Sequence, residues 1–212
     1  MLKEKMINNN KFLYNLLKTY CRRSLDKNIE PILKKYSKGK VLDIGALHQP
    51  YMKSIKYTNY KVLDIQKRKG VDIVEDIHKT KLNNNSFDTV VATEVFEHLY
   101  NPFLAQTQVR RILKKGGYLI ASVPFSYQIH GAPHDYYRYT QFGLKELFKD
   151  FSKVQIIPHG NRFFVILDMI GGSNRIFKLL VQIFKIIPHF DNRNTKIPFG
   201  YIIIAKKWKE II

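Results

Sequence analysis

The feature that most constrains this chain is a short apolar run that closes on an acid and then recurs. Val41-Leu42-Asp43-Ile44-Gly45 is the first instance. Tyr60-Lys61-Val62-Leu63-Asp64-Ile65 follows about twenty residues later, the spacing of strands in a βαβ unit. Val71-Asp72-Ile73-Val74-Glu75-Asp76, Phe87 to Glu94 and Tyr118 to Pro124 continue the series. Runs this apolar suit parallel strands buried on both faces, and a glycine or acid at the end marks a tight turn. Helical patterns lie around them: 11–37, with Phe12, Leu13, Leu16, Leu17, Tyr20 and then Ile29, Ile32, Leu33, Tyr36 at helical spacing, and Pro102 to Leu113. Pro31 is expected in the first turn of a second N-terminal helix. Further along, 141–151 reads as a helix, 154–158 and 201–206 as strands, and 163–170 and 175–187 as helices. Strands alternating with helices predict an α/β fold: an open, doubly wound, mostly parallel sheet that binds ligands beyond the carboxyl ends of its strands.

Composition removes other classes. The chain has 212 residues, 45% of them hydrophobic, with 14 Phe, 13 Tyr and 1 Trp to fill a core, so neither disorder nor a minimal scaffold fits. Cys21 is the one cysteine, which excludes an intrachain disulfide. No stretch reaches the roughly eighteen apolar residues of a membrane span. The N-terminus lacks the apolar run of a signal peptide, and the expectation is a cytoplasmic protein. The net charge of +19 comes mostly from 27 lysines, in a chain also rich in Ile and Asn, a bias that AT-rich codons produce without a polyanionic partner. The excess is +8 over 1–40, +4 over 41–144 and +7 over 145–212, so the acids concentrate in the middle.

Those acids suggest a ligand. A glycine turn after the first strand lets backbone approach a cofactor, an acid after the second accepts hydrogen bonds from ribose hydroxyls, and one after the third meets an adenine amino group. Asp43, Gly45, Asp64 and Asp76 hold these positions. A lone Asp at a strand end often caps a helix instead.

In these runs, with Glu75-Asp76-Ile77, Ser86 to Val91, Glu94-Val95-Phe96-Glu97-His98 and Arg111 to Gly117, the sequence resembles the class I S-adenosylmethionine-dependent methyltransferases over about 40–150. The resemblance implies a seven-stranded sheet with the last strand antiparallel. It implies S-adenosylmethionine as cofactor, with its amino-acid end near Asp43 to Ala46, ribose on Asp64, adenine near Asp76 and Ile77, and the methionine moiety near Glu94. It divides the chain into an N-terminal helical segment, 1–38, and a methyltransferase domain, 39–212, with a helical insertion at 159–199. One position departs from the family: Leu47 stands where a second glycine is usual.

The segment His130 to Thr140 places two imidazoles, a carboxylate, a guanidinium and three phenols beside the expected methyl donor. It looks like a segment of small methyltransferases of sugar and surface-glycan pathways. Asp135 and Arg138 are expected to pair and fold the loop, with Thr140 capping the next helix. The candidate bases for an acceptor proton are His134, then His130 and His98. Glu94, Glu97 and His98, with His134 as a fourth ligand, form an alternative divalent-metal set, similar to a Glu-x-x-Glu-His turn of certain O- and RNA methyltransferases. The bland reading of that turn is a metal-free helix start.

The function expected is methyl transfer to a hydroxyl or amine of a small molecule or glycan intermediate. The rivals are metal-assisted RNA 2′-O-methylation and, given Leu47, a non-catalytic binding protein with the same fold. No RNA-binding motif is appended, so nucleic acid is not the expected partner. The segment 175–187, apolar at nine of thirteen positions, is a candidate for peripheral contact with a membrane surface.

Overall fold

Runs that are apolar at every position need cover on both faces, and successive strand residues point to opposite sides. The computed structural model describes residues 18–46, 49–171 and 194–208. Its strands are β1 (Lys40–Ile44), β2 (Asn59–Asp64), β3 (Ile73–Val74), β4 (Phe87–Thr93), β5 (Leu113–Pro124), β6 (Lys153–His159) and β7 (Gly200–Lys206). They form one sheet in the order β3-β2-β1-β4-β5-β7-β6. Pairings among β1 to β5 are parallel, whereas β7 runs antiparallel to both β5 and β6. The expected fold class is the observed one.

Two apolar layers follow from the alternation. Val41, Val91, Ile120 and Ile202 meet Leu25, Ile29 and Leu33 of α1 (Tyr20–Tyr36). Leu42, Val90, Leu119, Ala121 and Ile203 face the other way, toward α2 (Pro102–Ile112) and α3 (Gln141–Leu147). Helix α1 is thus one wall of the core. Thr19 accepts a hydrogen bond from the Arg22 N–H at its start, and the Ser37 N–H donates to Leu33 O at its end. Pro31, expected at a helix start, lies inside α1, which runs unbroken through 20–36. The buried stripe through Leu25, Ile29 and Leu33 explains this, because packing offsets the backbone hydrogen bond that proline lacks.

Other boundaries shift for local reasons. β5 begins at Leu113, because the Lys115-Gly116-Gly117 turn is absorbed as an irregularity in the β4–β5 register. β3 is only two residues long; on either side of it Asp72 accepts from the Val62 N–H of β2 and Glu75 from the Lys81 N–H. α3 ends at Leu147, and β6 extends through His159, into the expected insertion. α4 (Arg162–Gly171) follows. The expected helix at 175–187 lies outside the described residues, as do 11–17 and Leu47. Among the described residues no helix is long and apolar enough to cross a membrane.

β7 joins the sheet through a close approach at Gly200. A Cβ there would stand 2.3 Å from Val123 O and 3.0 Å from His159 Nε2. Gly200→Ala should therefore cost about 2–4 kcal/mol in urea unfolding, the range for a backbone clash in a core. An unchanged midpoint would show that the β5–β7 pairing has slack.

Candidate active site

The acids end their strands on one edge of the sheet. There, a cavity of about 590 Å³ is bounded by Gly45, Asp64, Asp76, Ile77 and Glu94, and by His98 and His134 from the far side. The volume falls within the several-hundred-Å³ range of small-ligand sites. The Gly45 N–H donates to Leu63 O, tying the first turn to β2. Its φ of +67° is left-handed, and a Cβ would come within 3.0 Å of Val95 Cγ2, so glycine is required.

Asp64 Oδ1 accepts from the Gln66 N–H at 2.8 Å, which orients the carboxylate at the end of β2; among the described residues no donor is recorded at Oδ2. Asp76 Oδ1 takes two bonds from His78, at 3.0 Å from its N–H and 2.6 Å from Nδ1. Burial works against the Asp76 charge, but these bonds outweigh it and hold its pKa below the ordinary value. The His78 ring stacks on Tyr100, with centroids 4.0 Å apart. His78, Tyr100 and Tyr136 also line the cavity, yet sequence reasoning gave none of them a role in it.

Two predicted residues stand back from the cavity wall. Ala46 packs in the core, and Asp43 is 2% exposed, with the Tyr60 hydroxyl donating to Oδ2. Asp43 Oδ1 has no partner among the described residues. Burial raises the Asp43 pKa to about 7, against the opposing effect of the Tyr60 bond. Glu94, at the end of β4, adopts a φ of +54°, which is sparsely populated for a side chain of this kind. Ser122 holds it there, accepting from its N–H and donating to Oε1 at 2.7 Å. Burial, then the nearby Glu97 charge, raises the Glu94 pKa to about 7.

The loop over the cavity is built as expected. Arg138 grips both oxygens of Asp135, at 2.6 and 2.7 Å, and the Asp135 pKa falls well below the usual range mainly for that reason. Thr140 caps α3 by accepting from the Gly143 N–H. The N–H groups of Tyr136 and Tyr137 donate to Glu97 O, and Tyr139 Oη donates to Phe96 O, so the loop is sewn to the turn Phe96–His98.

The three candidate bases are not equivalent. His134 is exposed at the cavity, its Nδ1 2.8 Å from Tyr136 Oη. His98 Nδ1 lies 2.7 Å from His134 O; a carbonyl only accepts, so this nitrogen carries a proton. The pKa of His130 is raised, first by Glu97 and then by Asp135, so it is the poorest neutral base. The four residues of the alternative metal set do not form one cluster among the described residues. Glu97, His98 and His130 converge, with one ligand atom of each within 4.8 Å of the others, while Glu94 and His134 fall outside that group. The cause is the course of the loop, which brings His130 to Glu97 and turns His134 toward Tyr136.

Folding moves Asp43 from an ordinary carboxyl pKa to about 7, so between those values the folded state holds a proton that the unfolded state has lost. Stability then declines as pH rises through that window and levels off above it. The thermal midpoint of the ligand-free chain should fall between about pH 5 and pH 8, and Asp43→Asn should remove much of that fall. Tyr60→Phe, which deletes the opposing bond, should carry the fall to higher pH. An Asp43→Asn profile parallel to wild type would show that Asp43 is ionised throughout.

Residues 46–121 match the family model of a methyltransferase domain. Solved structures share the fold across nearly the whole chain. A methyltransferase of Thermotoga maritima, described as a possible histamine N-methyltransferase, superposes with a TM-score of 0.64 at 15% identity, covering 96% of this chain and 97% of that one. A methyltransferase of Archaeoglobus fulgidus gives 0.56 at 19%, covering 97% and 98%. Phosphoethanolamine N-methyltransferase 2 of Haemonchus contortus, in complex with S-adenosyl-L-methionine, gives 0.56 at 15%, covering 86% of this chain and 53% of that one. No curated protein sequence matches significantly. The matched segment, the sheet order and the acids at the strand ends are similar to those of S-adenosylmethionine-dependent methyltransferases, whose fold this chain shares.

Proposed function

We propose that the chain moves the methyl group of S-adenosylmethionine to a hydroxyl or amine of a small molecule or glycan intermediate, with His134 as the base. The observation that carries this reading is the single cavity in which Gly45, Asp64, Asp76 and Glu94 meet His134. The chain's own residues fit the cofactor. Asp64 offers a free carboxylate oxygen to ribose, Asp76 is preset as an acceptor for an amino group, and Gly45 leaves room for close backbone approach. The acids on the wall favour a ligand that carries a sulfonium and an ammonium.

Bound there, S-adenosylmethionine supplies an already activated methyl group. The remaining work is to align an acceptor and take its proton. His134 and Tyr136 form the wall opposite the strand ends, and their hydrogen bond fixes the imidazole through Nδ1. Nε2 is then the nitrogen that meets the acceptor proton. The cavity must hold the cofactor as well, so the acceptor enters by a small polar end, which supports a compact substrate or the terminus of a glycan.

Labelled methyl donor, tested against a panel of hydroxyl and amine acceptors, reads the activity directly. His134→Ala should lower kcat by about 10²–10⁴-fold with S-adenosylmethionine affinity within a few-fold of wild type, the signature of a general base. Asp64→Ala should weaken cofactor affinity by about tenfold or more, through loss of charged hydrogen bonds. Full turnover in His134→Ala would move the base elsewhere, and failure of the wild type to bind S-adenosylmethionine or S-adenosylhomocysteine would overturn the reading.

A further inference from the structure

Helix α4 carries apolar side chains on two faces, although the core uses only one. Phe164 and Val165 are buried with Tyr20, Cys21 and Phe199, and the Phe164 ring stacks on Tyr20 with centroids 4.6 Å apart. Asp168 Oδ2 accepts from the Cys21 N–H at 3.1 Å, in the first turn of α1. These contacts fix the side of α4 that faces inward. Phe163, Ile166 and Met169, spaced by three and so on one stripe, face outward and are 48%, 47% and 57% exposed. Arg162, four residues before Ile166, heads the same stripe and is exposed. Three large apolar side chains in a row on a ten-residue helix form a patch, unlike the single exposed residues of an ordinary surface.

The stripe stands on the edge of the sheet that carries the cofactor cavity. β5 and β6 both pair antiparallel with β7, so β6 runs in the direction of β1 to β5, and α4 begins just past its end. Tyr127, on the loop over the cavity, packs against the cluster of Tyr20 and Phe164, and Ile129, two residues on, is exposed. Beside the stripe is a groove of about 630 Å³, lined by Phe163 and Ile166, with Arg162 and Lys196 supplying positive charge. Residues 159–199 hold six Lys and Arg against two acids, Asp168 and Asp191, and Asp168 is turned inward to Cys21. The chain continues from α4 into 175–187, which lies outside the described residues; its sequence is apolar at nine of thirteen positions, with Arg175, Lys178 and Lys185 as its charged residues.

We propose that this edge docks on an anionic lipid bilayer, with Phe163, Ile166 and Met169 entering the interface and Arg162 and Lys196 meeting lipid phosphates. An apolar stripe flanked by cations is the pattern of a helix that lies in the plane of a membrane surface, where apolar burial and attraction to anionic headgroups act together. A protein partner would have to bring acids matched in position to these cations. A bilayer supplies mobile anionic headgroups above a continuous apolar layer, and so meets both features at once. Docking through α4 brings the cavity's edge of the sheet to the membrane, where an acceptor carried by a lipid would present its polar end. That last step rests on the methyl-transfer reading; docking itself does not.

The test is co-sedimentation of the full chain with vesicles of equal parts phosphatidylglycerol and phosphatidylcholine, and with vesicles of phosphatidylcholine alone. Binding should favour the anionic vesicles by about tenfold or more and weaken as salt is raised. Ile166→Asp with Met169→Asp should weaken it by about tenfold or more, and Arg162→Glu with Lys196→Glu should remove the preference for phosphatidylglycerol. All four positions are exposed, and circular dichroism reports on the fold of each variant. Trp208→Asp, an equally exposed site beyond the opposite end of β7, should leave binding unchanged. No binding to the anionic vesicles, undiminished binding in the folded α4 variant, or an equal loss in Trp208→Asp would overturn the proposal. A wild-type dimer in analytical ultracentrifugation that Ile166→Asp with Met169→Asp converts to monomer would also overturn it, by giving the stripe to a second copy of the chain. S-adenosylhomocysteine affinity, measured without vesicles, reports on the methyl-transfer reading separately.

Discussion

The structure depends on a parallel sheet that is apolar on both faces. β1, β4 and β5 lie between the α1 layer and the α2–α3 layer, and most of the side chains they turn toward these layers are apolar. Polar chemistry is displaced to where the strands stop, and there backbone groups lose their ladder partners and turns begin. Gly45, Asp64 and Glu94 therefore stand on one edge, each fixed by a bond from a neighbouring strand or turn: Gly45 to Leu63, Asp64 from Gln66, Glu94 with Ser122. The cavity is the consequence of ending four strands, β1 to β4, at one level, and its acids are there because water and ligands are.

Burial sets the character of those acids. Asp76 and Asp135 receive enough hydrogen bonds to remain strong acids, whereas Asp43 and Glu94 are short of donors and are pushed toward neutrality. The net charge of +19 does not relieve them. The lysines that produce it are concentrated on the N- and C-terminal flanks, and charges more than about 8 Å away are screened at physiological salt. Inside the site, relief has to come from groups in contact. Protons and the cation carried by a cofactor are the candidates that this geometry accommodates.

What could be read from the sequence follows from which interactions are local. Alternation, runs and spacing lie along the chain, so the strands, their order of appearance and Asp64, Asp76 and Glu94 at their ends were legible. So were the Asp135–Arg138 pair and the Thr140 cap, three residues apart in each case. The misses are contacts across space. Tyr60 on Asp43 and Ser122 on Glu94 join different strands, and nothing in either segment announces the other. His78 was missed although it follows Ile77, because its role comes from turning back onto Asp76 and stacking on Tyr100.

The histidines show the limit most sharply. Spacing within Glu94 to His98 was visible, but the partner imidazole had to be chosen from a loop more than thirty residues away that holds two of them. His134 was the natural choice by composition, being nearest the charged residues of the loop. The choice is made instead by backbone bonds, since Tyr136 and Tyr137 donate to Glu97 O and fix the loop where His130 faces the carboxylate. His134 is left to contribute its carbonyl to His98 and its ring to Tyr136. Two equivalent residues in a sequence thus become different chemical groups, one beside a buried acid and one exposed at the cavity, because backbone hydrogen bonds set the course of the loop.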